Sequence, residues 1–183
     1  QLNVLVGING SNGVVDKYAK QLIADGTLKV DDSTFSKNDS YVLAVRQGNA
    51  KTPDTILVLG RDTDSAFYGL TTLYQIFQQL PGRAVSNLTF SDWADVKSRG
   101  FIEGYYGSPW STKDRVNLMT WGGYYKMNTY VYAPKDDPLH RNNWRGLYTK
   151  DQIENEIKPQ ADAGNKSKVR FVYALAPFHN DGE

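Results

Sequence analysis

The sequence predicts an α/β fold, and two observations carry that expectation. Residues 99–137 read as apolar strand, Gly/Pro/aromatic loop, helix-length segment, second apolar strand and second polar loop, and the rhythm resumes after residue 150. The residues before 99 supply further strands and amphipathic helices of their own. Such alternation suits a doubly wound sheet or a (β/α)8 barrel, and pattern alone leaves both open. In a barrel, the loops after the strands form the active-site face.

The elements follow in order. Asn3–Ile8 is a β-rich run that stops at the turn cluster Asn9-Gly10-Ser11-Asn12-Gly13. That cluster could be a phosphate loop, but it lacks the Gly-x-Gly-x-x-Gly spacing and a following Gly-Lys-Ser/Thr, so a plain turn is favoured. Val14–Ala24 has helical apolar spacing and is closed by Gly26. Tyr41–Arg46 and Thr55–Leu59 are strands. Thr63–Leu80 is a long helix with Asp62 as cap and Pro81-Gly82 as stop. Val85–Phe90 is a further strand and Ser91–Ser98 a linker. Then come strand Gly100–Glu103, helix Thr112–Lys126 capped by Ser111 or Thr112, and strand Asn128–Ala133. Helix Lys150–Ala163 is stopped by Gly164, and strand Val169–Ala174 follows. The expected domains are 1–95, an accessory α/β domain, and 96–183.

Composition narrows the function. At 183 residues and 40% hydrophobic, the chain can build a real core. A net charge of +1 makes nucleic acid a poor partner. Absence of cysteine removes disulfides and thiolate metal sites. No apolar run approaches the roughly 20 residues of a membrane helix. The 12 Tyr and 4 Trp suit either sugar stacking or aromatic packing. His140 and His179 lie far apart in the chain, so neither a metal nor any other cofactor is expected.

One stretch is more specific. Arg99-Gly100-Phe101-Ile102-Glu103-Gly104-Tyr105-Tyr106-Gly107-Ser108-Pro109-Trp110 is followed by Asp114-Arg115 and Asn128-Thr129-Tyr130-Val131-Tyr132-Ala133-Pro134-Lys135-Asp136-Asp137-Pro138, then His140-Arg141, Trp144 and Arg145. This resembles the start of the catalytic domain of glycoside hydrolase family 84, the retaining β-N-acetylglucosaminidases, which include bacterial enzymes called hyaluronidases and the O-GlcNAcases. Residues 1–95, with Tyr68–Gln75 and Asp92-Trp93, resemble the small α/β domain that precedes the barrel in that family. The resemblance implies the first strands of a truncated (β/α)8 barrel, β-GlcNAc-containing glycans or glycoproteins as partners, and a secreted or cell-surface bacterial protein.

It also implies substrate-assisted hydrolysis, in which the sugar's acetamido oxygen attacks C1 while two carboxylates of different ionisation assist. In the family that Asp-Asp pair follows the fourth barrel strand. Asp136-Asp137 belongs instead to the loop after the second, where loop backbone and basic neighbours such as Arg141 and Arg145 would satisfy it. No catalytic residue is therefore expected within these 183 residues, and alone they are expected to be inactive. A non-catalytic carbohydrate-binding or interaction module is the alternative.

Three substrate-binding residues carry over from the resemblance. Lys135 would donate a hydrogen bond to a sugar hydroxyl. Gly104 would offer its carbonyl, a side chain there blocking close approach; a tight strand-to-loop turn is the other reading. Tyr106 lines the pocket or packs. Glu103, inside a strand, needs a partner, for which Arg99 or a residue elsewhere in the barrel could serve. Trp110 is expected to pack its loop.

Overall fold

The computed structural model of the chain describes residues 1–83, 85–104 and 107–177. It divides into two compact units, Gln1–Lys97 and Ser98–Glu183. Among the described residues, no helix is long and apolar enough to cross a membrane.

The first unit holds strands β1 (Leu2–Ile8), β2 (Tyr41–Arg46), β3 (Asp54–Gly60) and β4 (Leu88–Asp92) and helices α1 (Val14–Ala24) and α2 (Thr63–Gln79). The sheet order is β1-β3-β2-β4; β1 runs parallel to β3, and the other pairs are antiparallel. Strands β2 and β3 are buried on both faces, which is why they read as unbroken apolar runs. Tyr41, Leu43, Val45, Ile56 and Val58 pack with Tyr68 and Leu73 of α2. Val42, Ala44, Leu57 and Leu59 pack with Ala19 of α1 and with Leu28. Asp62 caps α2 through the Ser65 amide, as its position predicts.

Strand β4 differs from expectation. It begins at Leu88, not Val85, and extends through Ser91 and Asp92, which the sequence assigns to a linker. The Tyr41 hydroxyl donates to Asp92 at 2.8 Å, and the backbones of Tyr41 and Asp92 are paired, so a poor strand former is held in the sheet.

The Asn9–Gly13 cluster is a turn wrapped around an internal anion. The amides of Gly10 and Asn12 donate to the buried Asp16 carboxylate at 3.0 and 2.8 Å, and Lys20 donates at 2.9 Å. The donors a phosphate loop would offer are already engaged. Burial alone would raise the Asp16 pKa, but the Lys20 hydrogen bond and the two amides outweigh it and hold the pKa below 3.8. The stability this lends is complete above the ordinary carboxylate pKa and fades as pH falls through the lowered one. Asp16→Asn is therefore expected to flatten the loss of stability from about pH 5 to about pH 2. Urea unfolding followed at Trp93, which lies under Lys37 in this unit, checks it; parallel acid limbs for the two proteins would refute it.

The second unit holds β5 (Gly100–Glu103), α3 (Thr112–Tyr124), β6 (Thr129–Tyr132), α4 (Lys150–Gln152), a π turn (Ile153–Ile157), α5 (Lys158–Ser167) and β7 (Arg170–Tyr173). The strands form a parallel sheet in the order β5-β6-β7, with helical segments in both crossovers. Ser111 is the N-cap of α3, accepting from the Asp114 amide. One sheet face packs on the helices through Tyr130, Tyr132, Met119, Ala163 and Val169. On the other face Ile102 is 69% and Val172 41% exposed.

Two helix readings need correction. The helix expected over Lys150–Ala163 is broken by the π turn and continues to Ser167. Pro159 has no N–H to return to residue 155; the turn before it widens, and Gln160 Nε2 donates to the Glu156 carbonyl at 2.8 Å. Gly164 is no stop either. It lies inside α5 because a Cβ there would sit 2.4 Å from the Val169 carbonyl oxygen. The helix ends at Lys168, which takes the left-handed conformation while the Val169 amide returns to Gly164 at 2.9 Å. Helix α3 closes the same way, with Lys126 left-handed and the Met127 amide on Gly122, two residues short of the expected end at Lys126.

Candidate active site

The candidate site lies where β5 and β6 end. Glu103 is paired with Tyr132, and the Ala133 amide donates to the Glu103 carbonyl at 3.1 Å. Gly104 and the Ala133–Pro134 exit therefore leave the sheet side by side. Lys135 follows directly, half-buried, at the first corner of a turn closed by the Asp137 amide on the Pro134 carbonyl at 3.1 Å. The structure thus brings Gly104 and Lys135 to neighbouring strand ends. Tyr106, the third expected residue, lies outside the described residues. Gly104 has no positive φ, and among the described residues a Cβ there would meet only Ile102 Cγ2, at 3.6 Å.

At these ends lie a buried carboxylate, Glu103, and a half-buried one, Asp137. Glu103 is 2% exposed and is gripped by Arg115, Nε to Oε2 at 2.9 Å and Nη2 to Oε1 at 2.7 Å. The Tyr130 hydroxyl donates to the same carboxylate. The partner is therefore Arg115, on α3; Arg99 instead donates from Nε to the Lys126 carbonyl at 2.9 Å. Burial opposes the Arg115 charge, but the Glu103 hydrogen bonds prevail and raise its pKa. Burial and then Glu103 raise the Tyr130 pKa, so the phenol remains a donor.

Asp137 anchors the Lys135 turn. It accepts from the Tyr132 hydroxyl at 2.8 Å, the Leu139 amide at 2.8 Å and the Tyr148 hydroxyl, which also meets Tyr173 Oη at 3.1 Å. The loop amide is as expected, and two tyrosine hydroxyls join it. Arg145 lies 3.9 Å over the Trp144 ring. Asp136 is exposed at the second corner of the turn.

A cleft of about 420 Å³ opens beside the turn on the helix side, lined among others by Trp110, Arg115, Tyr132, Asp136, Tyr148 and Glu156. Trp110, 39% exposed, lines this cleft rather than being enclosed by its loop. His140 is buried, with Nδ1 2.6 Å from the Ala174 carbonyl; the ring proton sits on Nδ1, since a carbonyl can only accept. Among the described residues, no cluster of three His, Cys, Asp or Glu side chains could hold a metal; His179 lies outside them.

Residues 99–182 match the family model described as beta-N-acetylglucosaminidase, and residues 8–93 match domain 2 of glycosyl hydrolase family 20. The solved structure of CpGH84D aligns with 98% of this chain at a TM-score of 0.85 and 46% identity. The chain is similar to the N-terminal portion of glycoside hydrolase family 84 proteins. A second family 84 structure, CpGH84B, aligns with 98% of the chain at a TM-score of 0.73 and 29% identity. The Protein O-GlcNAcase of Rattus norvegicus is 37% identical over 78 residues, which is 43% of this chain. The chain spans 28% of CpGH84D, 35% of CpGH84B and 8% of the rat protein.

Sequence reasoning missed Arg115 and the phenols of Tyr130, Tyr132 and Tyr148 as the holders of these carboxylates. A signal was available. Tyr130-Val131-Tyr132 places two phenols on one face of a strand beside a strand carrying Glu103 on the same face.

Proposed function

We propose that this chain supplies one wall of the sugar pocket of a retaining β-N-acetylglucosaminidase that cleaves terminal β-linked GlcNAc. The observation that carries the reading is the pairing of Gly104 and Lys135 on adjacent parallel-strand ends, within the segment that matches the β-N-acetylglucosaminidase family. Strand C-terminal ends are where (β/α)8 enzymes bind substrate, and three parallel strands with helical crossovers are the opening of such a barrel.

The chemistry follows from the substrate. The 2-acetamido oxygen attacks C1, the bond from C1 to the leaving oxygen breaks, and that oxygen takes a proton from a carboxylic acid. The resulting oxazoline is opened by water, with the same group now acting as base. Two carboxylates at the strand ends, Glu103 and Asp137, are poor candidates for that group. Glu103 is committed to Arg115 and Tyr130, and Asp137 to two tyrosines and an amide. In this reading the chain binds and orients the sugar through the Lys135 ammonium and the Gly104 carbonyl, while the proton-transfer pair lies elsewhere in the enzyme. The 183 residues alone are then inactive.

Lys135→Ala, in the full-length enzyme that contains this segment, is expected to lower kcat/KM for an aryl β-N-acetylglucosaminide about 10- to 150-fold. That corresponds to about 1.5–3 kcal/mol for a hydrogen bond from a charged donor. An unchanged kcat/KM would remove Lys135 from the pocket.

A further inference from the structure

We infer that Asp137 is a positioning residue, whose carboxylate fixes the turn that presents Lys135. The inference rests on the reading that Lys135 meets the sugar, and it deepens that reading. Lys135 lies beyond the strand: β6 ends at Tyr132, and Lys135 is the first corner of a four-residue turn. Asp137 is the last residue of that turn, and its amide closes it on Pro134. Its side chain then does three things. Oδ2 takes the Tyr132 hydroxyl from the last residue of β6, so the turn is tied back to the strand it leaves. Oδ2 also takes the Tyr148 hydroxyl from the segment leading into α4, and Tyr148 reaches on to Tyr173 at the end of β7. Oδ1 takes the Leu139 amide, which starts the return of the chain.

The ends of β6 and β7 and the entry to α4 are thereby tied to one carboxylate. The Tyr132 and Tyr173 rings stack with centroids 5.5 Å apart, which keeps the two phenols on one side of the turn. Both Tyr132 and Tyr148 have pKa values raised by burial and then by Asp137, so they stay protonated and donating. A carboxylate that accepts three hydrogen bonds in this way has three of its roughly four acceptor sites committed to the anchor. A lysine whose turn is loosened keeps its charge but loses its aim, and a misplacement of about 1 Å can cost on the order of 100-fold in rate.

The test has two arms. In the 183-residue chain, amide exchange at Asp137 and Leu139 is compared among wild type, Asp137→Ala, Asp137→Asn and Tyr148→Phe. Exchange is expected to speed at least about 10-fold in Asp137→Ala and less in Tyr148→Phe, with Asp137→Asn close to wild type because its amide oxygen still accepts. In the full-length enzyme, Asp137→Ala and Tyr148→Phe are measured alone and with Lys135→Ala. Each is expected to raise KM more than it lowers kcat, and neither should cost anything further once Lys135 is gone. Unchanged exchange, or losses that simply multiply with that of Lys135→Ala, would overturn the inference. Faster exchange beside a kinetically silent Lys135→Ala would show that Asp137 holds the turn and that the sugar contact is what fails. Tyr148→Phe keeps the comparison decisive should Asp137→Ala not fold.

Discussion

Arg115→Ala is expected to cost the second unit about 3–5 kcal/mol, because it leaves Glu103 buried without its counter-charge. The two groups are 6% and 2% exposed, too deep for water to compensate either. The net worth of the intact pair is far smaller than this cost, since most of its attraction offsets the desolvation of both partners. That asymmetry gives a sharp comparison. Replacing the whole network by apolar groups, Glu103→Leu with Arg115→Met and Tyr130→Phe, is expected to recover most of the lost stability. Urea unfolding of the 183-residue chain, with exchange at the Tyr130 and Tyr132 amides reporting this unit, would decide it. A single variant costing under about 1 kcal/mol would mean that water reaches the pair.

Gly123→Ala is expected to cost about 3 kcal/mol, at the upper end of what overpacking usually does. A Cβ there would lie 2.1 Å from the Ser167 carbonyl oxygen and 2.8 Å from Ser167 Cβ. The nearer atom is backbone at the end of α5, so relief requires α3 and α5 to part. Gly104→Ala is the control, because its Cβ meets a single methyl at ordinary distance, and it should change stability by less than about 0.5 kcal/mol. Equal melting of the two variants and wild type, followed at Trp110, Trp121 and Trp144, would contradict the close crossing of α3 and α5.

What the sequence made legible was local. Val14–Ala24 and Gly100–Glu103 have the expected bounds because apolar period and flanking Gly or polar punctuation agree there. The site was legible to the extent that Gly104 and Lys135 each follow a strand; their adjacency depends on sheet order, which periodicity does not encode. The partner of Glu103 was harder. Arg99 is near in sequence, but Arg115 is brought in by the phase of a helix whose start depends on the Ser111 cap. Asp137 looked like a partner for nearby arginines because charge invites charge. The sequence did not announce its phenol donors, delivered by strand alternation at Tyr132 and by a loop at Tyr148. Gly164 was misread because glycine marks either a stop or a close approach, and only a neighbour at 2.4 Å tells which. Pro159 went unread inside the helix expected over Lys150–Ala163, and the form of the break involves a side-chain amide one residue later.

The three parallel strands are in step, residue for residue: Phe101, Tyr130 and Phe171 form one row, and Glu103, Tyr132 and Tyr173 the next but one. Both anchored carboxylates draw a phenol from the middle strand. The strand therefore stores information as phase, and its vulnerable quantity is a count of residues rather than their identity. One residue gained or lost between the end of α3 and Tyr130 would turn Tyr130 and Tyr132 to the opposite face together. Glu103 and Asp137 would each forfeit a donor in the same event, although neither residue had been altered. A one-residue error of frame would thus reach both halves of the strand-end machinery at once, where no single substitution does.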